Sequence, residues 1–113
     1  MQELAIMQSL LYIALQEGEQ SGGERITAVR LVIGRLSGID PEALAQSFES
    51  LSQGTIAEGA SLEVEWVDAV AECDRCRGTW ELTHQYLVCP HCGKGFGRLL
   101  SGHELRVAGL AMD

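Results

Sequence analysis

Residues 73–92 read CDRCRGTWELTHQYLVCPHC and contain every cysteine of the 113-residue chain. The spacing is C-x2-C, twelve intervening residues, then C-x2-C. Two residues between paired cysteines let a tight turn aim both sulfurs at one ion. A second such turn completes a tetrahedron, the arrangement of structural zinc. Gly78 follows the first turn, and Gly93 and Gly95 follow the second, where the backbone has to curl around a metal. TWELTHQYLV, between the turns, is rich in strand formers and long enough for a hairpin. The segment is therefore predicted to be a zinc ribbon with Cys73, Cys76, Cys89 and Cys92 as ligands. A thioredoxin-like redox pair needs no second CxxC, and catalytic zinc keeps an open position that four thiolates would fill. An iron–sulfur centre is the remaining four-thiolate alternative. A closed site of this kind is a folding element, because ion binding supplies stability that a module of about 30 residues cannot draw from its own core. His84 and His91 read as surface groups or neighbours of the metal, and His103 has no local partner in sequence.

Outward from the ribbon, SLEVEWVD (61–68) alternates Leu62, Val64 and Trp66 against Glu63, Glu65 and Asp68, a half-exposed strand. HELRVAGLAMD (103–113) sets Leu105 and Val107 against Glu104 and Arg106, a second strand of that type. The cysteine module between them is predicted to be an insertion, residues 69–100, in a domain made of residues 1–68 and 101–113. ITAVRLVIG (26–34) is a β-rich run closed by Gly34. Before it, Leu4, Met7, Leu11 and Ala14, with Leu10 and Leu15, give an amphipathic helix over about residues 3–18, ended by the loop GEQSGGE (18–24). A second helix starts with Asp40 as N-cap, Pro41 at the first helical position and Glu42 in the first turn. Leu44, Phe48 and Leu51 form its buried face, and Gly54 is its stop. The predicted fold class is α+β: a small mixed or antiparallel sheet with two helices, plus the inserted ribbon.

A hydrophobic content of 46% with 21% charged residues excludes a disordered chain. A net charge of -8 with eight basic residues argues against nucleic acid or anionic lipid as partners. The amino terminus lacks the basic region of a signal peptide, and no apolar run is long enough to span a membrane. A cytoplasmic location, reducing for thiols, is expected.

The order of these parts resembles the HypA/HybF family of hydrogenase maturation proteins, nickel metallochaperones. The resemblance rests on the first helix, ITAVRLVIG, IGRLSGIDPEAL, GTIAEGASLEV, the four-cysteine ribbon and GHELRV, and covers essentially the whole chain. It implies a nickel-binding domain with an inserted structural zinc ribbon, and no enzymatic activity. It also implies nickel delivery with a GTPase partner to the hydrogenase large-subunit precursor. The family binds nickel at the extreme amino terminus, through the terminal amine, backbone amides and a histidine at position 2, close to a glutamate and a second acidic residue. Met1, Glu3 and Asp40 match these positions. Position 2 departs: the chain begins MQE, and Gln2 replaces imidazole, a good nickel donor, by a poor one. A paralogue with an altered site, a variant engineered to lose nickel, and a chain that keeps only partner docking all fit this departure. Edge strands allow paired or swapped homodimers. The readings from other classes are a zinc-ribbon nucleic-acid or transcription-complex module, which expects a basic face, and a thiol enzyme, which needs a metal-free cysteine of lowered pKa.

Overall fold

The computed structural model describes residues 2–82 and 87–113. Two helices and two three-stranded sheets make it an α+β protein. The order is α1 (Gln2–Gln20), β1 (Ile26–Gly34), a 3-10 turn (Arg35–Ser37), α2 (Pro41–Ser52), β2 (Ser61–Val67), β3 (Val70–Cys73), β4 (Thr79–Glu81), β5 (Gly97–Ser101) and β6 (Leu105–Met112). The chain forms two compact units. The first holds residues 1–32, 38–65 and 106–113, and the second holds 33–37 and 66–105.

In the first unit, β1 lies between β2 and β6. The Ser61 hydroxyl donates to the Thr27 carbonyl, and Arg30 pairs with Glu63 at 3.2 Å. This near-constant sequence offset means that β1 and β2 run parallel, joined by a crossover through α2. Asp113 N–H donates to Arg25 O at one end of β1 and Gly34 N–H to Glu104 O at the other, so β6 runs antiparallel and the sheet is mixed. As the central strand, β1 exposes only Thr27 and Arg30, which is why its sequence reads as a continuous apolar run rather than an alternation. The core joins Ile26, Val29 and Leu31 to Met7, Leu10, Leu11 and Ala14 of α1 and Leu44 and Phe48 of α2. The two helices pack on each other.

Several sequence expectations are corrected here. α1 does not stop at Gly18 but continues to Gln20. A Cβ at Gly18 would stand 3.0 Å from Ile26 Cδ1 and 3.2 Å from Ile56 Cδ1, so this glycine serves close approach of helix and strand rather than a loop. The apolar stripe begins at Met7, and Leu4 is exposed. On α2, Leu51 is only half-buried, while Ser52 is 2% exposed. The Ser52 hydroxyl donates to Glu49 O, which removes most of the cost of burying it. Leu105 shares the face of Val107 by the period of two but stands at the open end of β6, where it is exposed.

The second unit centres on β3, which pairs antiparallel with β4 (Ala71 opposite Trp80) and with β5 (Glu72 opposite Arg98). Ala69, Ala71 and Leu82 are buried there, with Leu36, Trp80 and Leu99 against them. TWELTHQYLV does not fold on itself in its described part, since Thr79–Glu81 pairs back onto β3 and Val88 bridges Phe96. The first CxxC turn is itself the hairpin connection. Residues 83–86, in the middle of the expected hairpin, lie outside the described residues.

Candidate metal centre

The two CxxC turns are built alike. Cys73 N–H donates to Gly78 O, and Cys73 O accepts from Arg77 N–H; Cys89 N–H donates to Gly95 O, and Cys89 O accepts from Gly93 N–H. In the first turn the N–H groups of Arg75 and Cys76 point at Cys73 Sγ, at 3.3 and 3.4 Å. In the second, those of His91 and Cys92 point at Cys89 Sγ, at 3.3 and 3.5 Å. Such a ring of amides stabilises thiolate charge without adding a net cation. Gly93 has φ +71, and Arg77, at the equivalent place after Cys73, has φ 65. That left-handed conformation is costly for a side-chain-bearing residue. Aligning CDRCRG with CPHCGK would have revealed the correspondence, which reading the motifs separately misses.

All four Sγ atoms lie within 4.8 Å of one another. Cys73 and Cys92 are 3.7 Å apart, as are Cys76 and Cys89. A tetrahedral ion held by thiolates about 2.3 Å away requires edges of roughly 3.8 Å, whereas a disulfide would bring the sulfurs to about 2 Å. The cluster thus has the size of an ion site. The cluster is enclosed on the side of buried Cys73 and Cys89, where a Cβ at Gly95 would collide with Cys73 Sγ, while Cys76 and Cys92 are exposed. Proton affinities point the same way. The amides of Lys94 and Gly95 lower the Cys92 thiol to about 6. At Cys76 the Gly78 amide favours the thiolate, but desolvation and the three neighbouring sulfurs override it and push the thiol up to about 11. Four thiolates at this spacing oppose each other's ionisation, and a central cation removes the conflict.

His91 is not a member of the cluster; its exposed ring places Nε2 3.1 Å from Thr79 O. His103 is exposed, and His84 lies outside the described residues. At the amino end, Gln2 opens α1 and is exposed, while Met1 lies outside the described residues. Glu3 and Asp40, 37 positions apart, are in contact: Glu3 Oε2 accepts the Asp40 N–H at 3.1 Å. That hydrogen bond, followed by one from the Glu3 backbone N–H, holds the Glu3 carboxyl below its ordinary value. The Asp40 side chain in turn accepts the Glu42 N–H at 3.1 Å as the N-cap of α2. The structure therefore brings Gln2, Glu3 and Asp40 to one exposed helix-end region. No local signal in sequence joins Glu3 to Asp40.

The family model described as "Hydrogenase/urease nickel incorporation, metallochaperone, hypA" matches residues 1–112. The chain belongs to the HypA family. Full-length relatives named hydrogenase maturation factor HypA include those of Geotalea uraniireducens, 43% identical, and Geobacter sulfurreducens, 39% identical; each alignment covers 100% of both chains. The fold is similar to the solution structure of the Ni metallochaperone HypA from Helicobacter pylori, with a TM-score of 0.66, 21% identity and coverage of 97% of this chain and 96% of that one. A second solution structure of a HypA protein gives a TM-score of 0.70 at 22% identity, over 98% and 95% of the two chains. Membership makes the protein a maturation factor of the nickel-incorporation class, a metallochaperone and not an enzyme. Its four cysteines form a metal-binding ribbon. No helix among the described residues is long and apolar enough to cross a membrane.

Proposed function

We propose that this HypA protein takes up nickel at its amino end in the cytoplasm and, with a nickel-handling GTPase, delivers it to the large-subunit precursor of a [NiFe] hydrogenase. In this reading residues 1–68 and 101–113 form the nickel-handling domain, and residues 69–100 form a ribbon closed by zinc on Cys73, Cys76, Cys89 and Cys92. Zinc when bound supplies four bonds that hold the two turns together; the sulfurs, amides and Gly95 position and enclose it. The observation that carries the nickel assignment is the Glu3–Asp40 contact at 3.1 Å, beside exposed Gln2. It ties the starts of α1 and α2 together and sets a carboxylate beside Gln2, which supports a cation site at this end of the chain. Gln2 in place of histidine removes the strongest side-chain donor, so the cargo is held weakly. A docking-only role is the second reading, favoured by that same residue.

Calorimetric titration of nickel into the untagged chain beside Gln2→His decides between them. Weak binding that tightens at least about tenfold in Gln2→His, roughly 1.4 kcal/mol, is the expected result. Equally tight binding by both would mean that position 2 takes no part in the site. Absence of binding in both would leave docking as the role.

A further inference from the structure

We propose that the end of the ribbon formed by Arg75, Val88, Lys94 and Phe96 docks an acidic protein segment bearing an apolar side chain. Phe96 is 63% exposed and Val88 49%, and the two face each other in an isolated antiparallel bridge. Leu87 accepts the Gly97 N–H but faces the other way, lining a cavity with Leu36, Leu82 and Leu99, so the patch is Val88 and Phe96. Contiguous exposed apolar residues mark interaction surfaces more often than scattered ones do. Phe96 is displayed by a fixed backbone. Its N–H donates to Asp74 Oδ1 at 3.0 Å and its carbonyl accepts the Asp74 N–H at 3.0 Å. An anchor held this way loses little entropy on binding.

Charge selects the occupant. Gly95 is the hub, since a Cβ there would lie 2.8 Å from Asp74 Oδ1 and 3.2 Å from Arg75 Cβ, and its sequence neighbours are Lys94 and Phe96. Arg75 and Lys94 are exposed and make no ion pair among the described residues, whereas Arg77 and Arg98 are both engaged by Glu72. These two cations outnumber the one carboxylate at this end, Asp74, whose Oδ1 is taken up by the Phe96 N–H. Beside the exposed ring they complement a short segment with a few carboxylates around one apolar side chain. A nucleic acid needs a longer row of phosphate contacts than the two cations of this patch offer.

The test is fluorescence anisotropy with a fluorescein-labelled peptide that has one phenylalanine centred among glutamates, titrated into the zinc-loaded full chain. Arg75→Glu with Lys94→Glu is expected to weaken binding about tenfold or more and to flatten its salt dependence. Phe96→Ser is expected to weaken it by a similar factor while leaving the salt dependence intact. Zinc per chain, measured by displacement with a mercurial thiol reagent, stays at the wild-type value in both. Unchanged peptide affinity in the variants overturns the proposal, as does tighter binding of labelled oligo-dT than of the peptide. Loss of zinc in the charge variant would overturn it too, by showing that the cations serve the thiolates. Self-association of the wild type by light scattering that Phe96→Ser abolishes would do so by making a second copy the occupant.

Discussion

The ribbon and the amino-terminal unit reach stability by different means. Among the described residues of the ribbon unit the apolar cluster is small, Ala69, Ala71 and Leu82, but four sulfurs converge and backbone amides point at them. The amino-terminal unit buries Met7, Leu31, Leu44 and Phe48 between two helices and a sheet. Charge divides as sharply. In the ribbon unit Arg35, Arg75, Arg77, Lys94 and Arg98 balance Asp68, Glu72, Asp74, Glu81 and Glu104, so the whole surplus of -8 lies in the other unit. A unit that owes its shape to an ion cannot release that ion and remain folded. A unit that owes its shape to apolar burial leaves its polar end available for exchange, which is the physical basis for assigning permanent and transient metals to different halves.

The largest expected effect breaks this comparison on the ribbon side. Cys73→Ser removes a buried ligand and should abolish zinc binding, forfeiting ion-binding free energy on the order of 10 kcal/mol that the ribbon uses to fold. Zinc per chain falls toward zero and the ribbon's amides exchange rapidly with solvent, while the far-UV signal of α1 and α2 survives. Loss of the helical signal together with the zinc would show that the two units are not energetically separate. The reciprocal substitution is Leu44→Ala. Leu44 is 1% exposed, and truncation there should cost about 2–5 kcal/mol, lowering the helical melting temperature with zinc still bound.

Legibility in sequence divides along the same line. The convergence of the four cysteines was readable because metal geometry imposes a fixed local spacing, and β1 was readable from Ile26 to Gly34 because a central strand is apolar on both faces. The second helix start was readable because Asp40, Pro41 and Glu42 each serve a defined position. What escaped depends on partners distant in sequence. Gly18 looks like a helix stop until Ile26 is seen against it, and Ser52 looks like a surface residue until the Glu49 carbonyl satisfies it. The pairing of Val70–Cys73 with both Thr79–Glu81 and Gly97–Ser101 was hidden, because the intervening turn reads first as a metal site and only then as a hairpin. The Glu3–Asp40 contact left no trace in periodicity or composition; only the family resemblance named both residues.

Within the ribbon the two turns offer a finer comparison. Arg77 holds φ 65 where its counterpart Gly93 holds φ 71, so the first turn carries strain that the second avoids. Arg77→Gly should stabilise the zinc-loaded ribbon by about 1 kcal/mol, less the entropy that glycine adds to the unfolded chain. The exposed Arg77–Glu72 pair, at 3.5 Å, contributes little against this gain because solvent screens it. The competition constant for zinc against a chelator is the readout, and a weaker hold on zinc in Arg77→Gly would mean that the ion pair outweighs the strain.

The smallest effect lies at the amino end and carries a sign. The Asp40 N–H, and then the backbone N–H of Glu3, keep the Glu3 carboxyl below its ordinary value of 4.5. A carboxyl depressed in the folded state contributes stability that is fully present above the unfolded value and is lost as pH falls through the folded one. Thermal unfolding followed from about pH 7 to about pH 3 should therefore show an acid-side decline, part of which disappears in Glu3→Gln, whose amide oxygen still accepts the hydrogen bond but carries no charge. Because Glu3 is only half-buried, solvent screening keeps that part small, and the difference between the two curves is more informative than either slope alone. Curves that superimpose would mean that the ionised carboxylate does not join α1 to α2 in solution, and nickel at the amino end would then lose the contact that supports it.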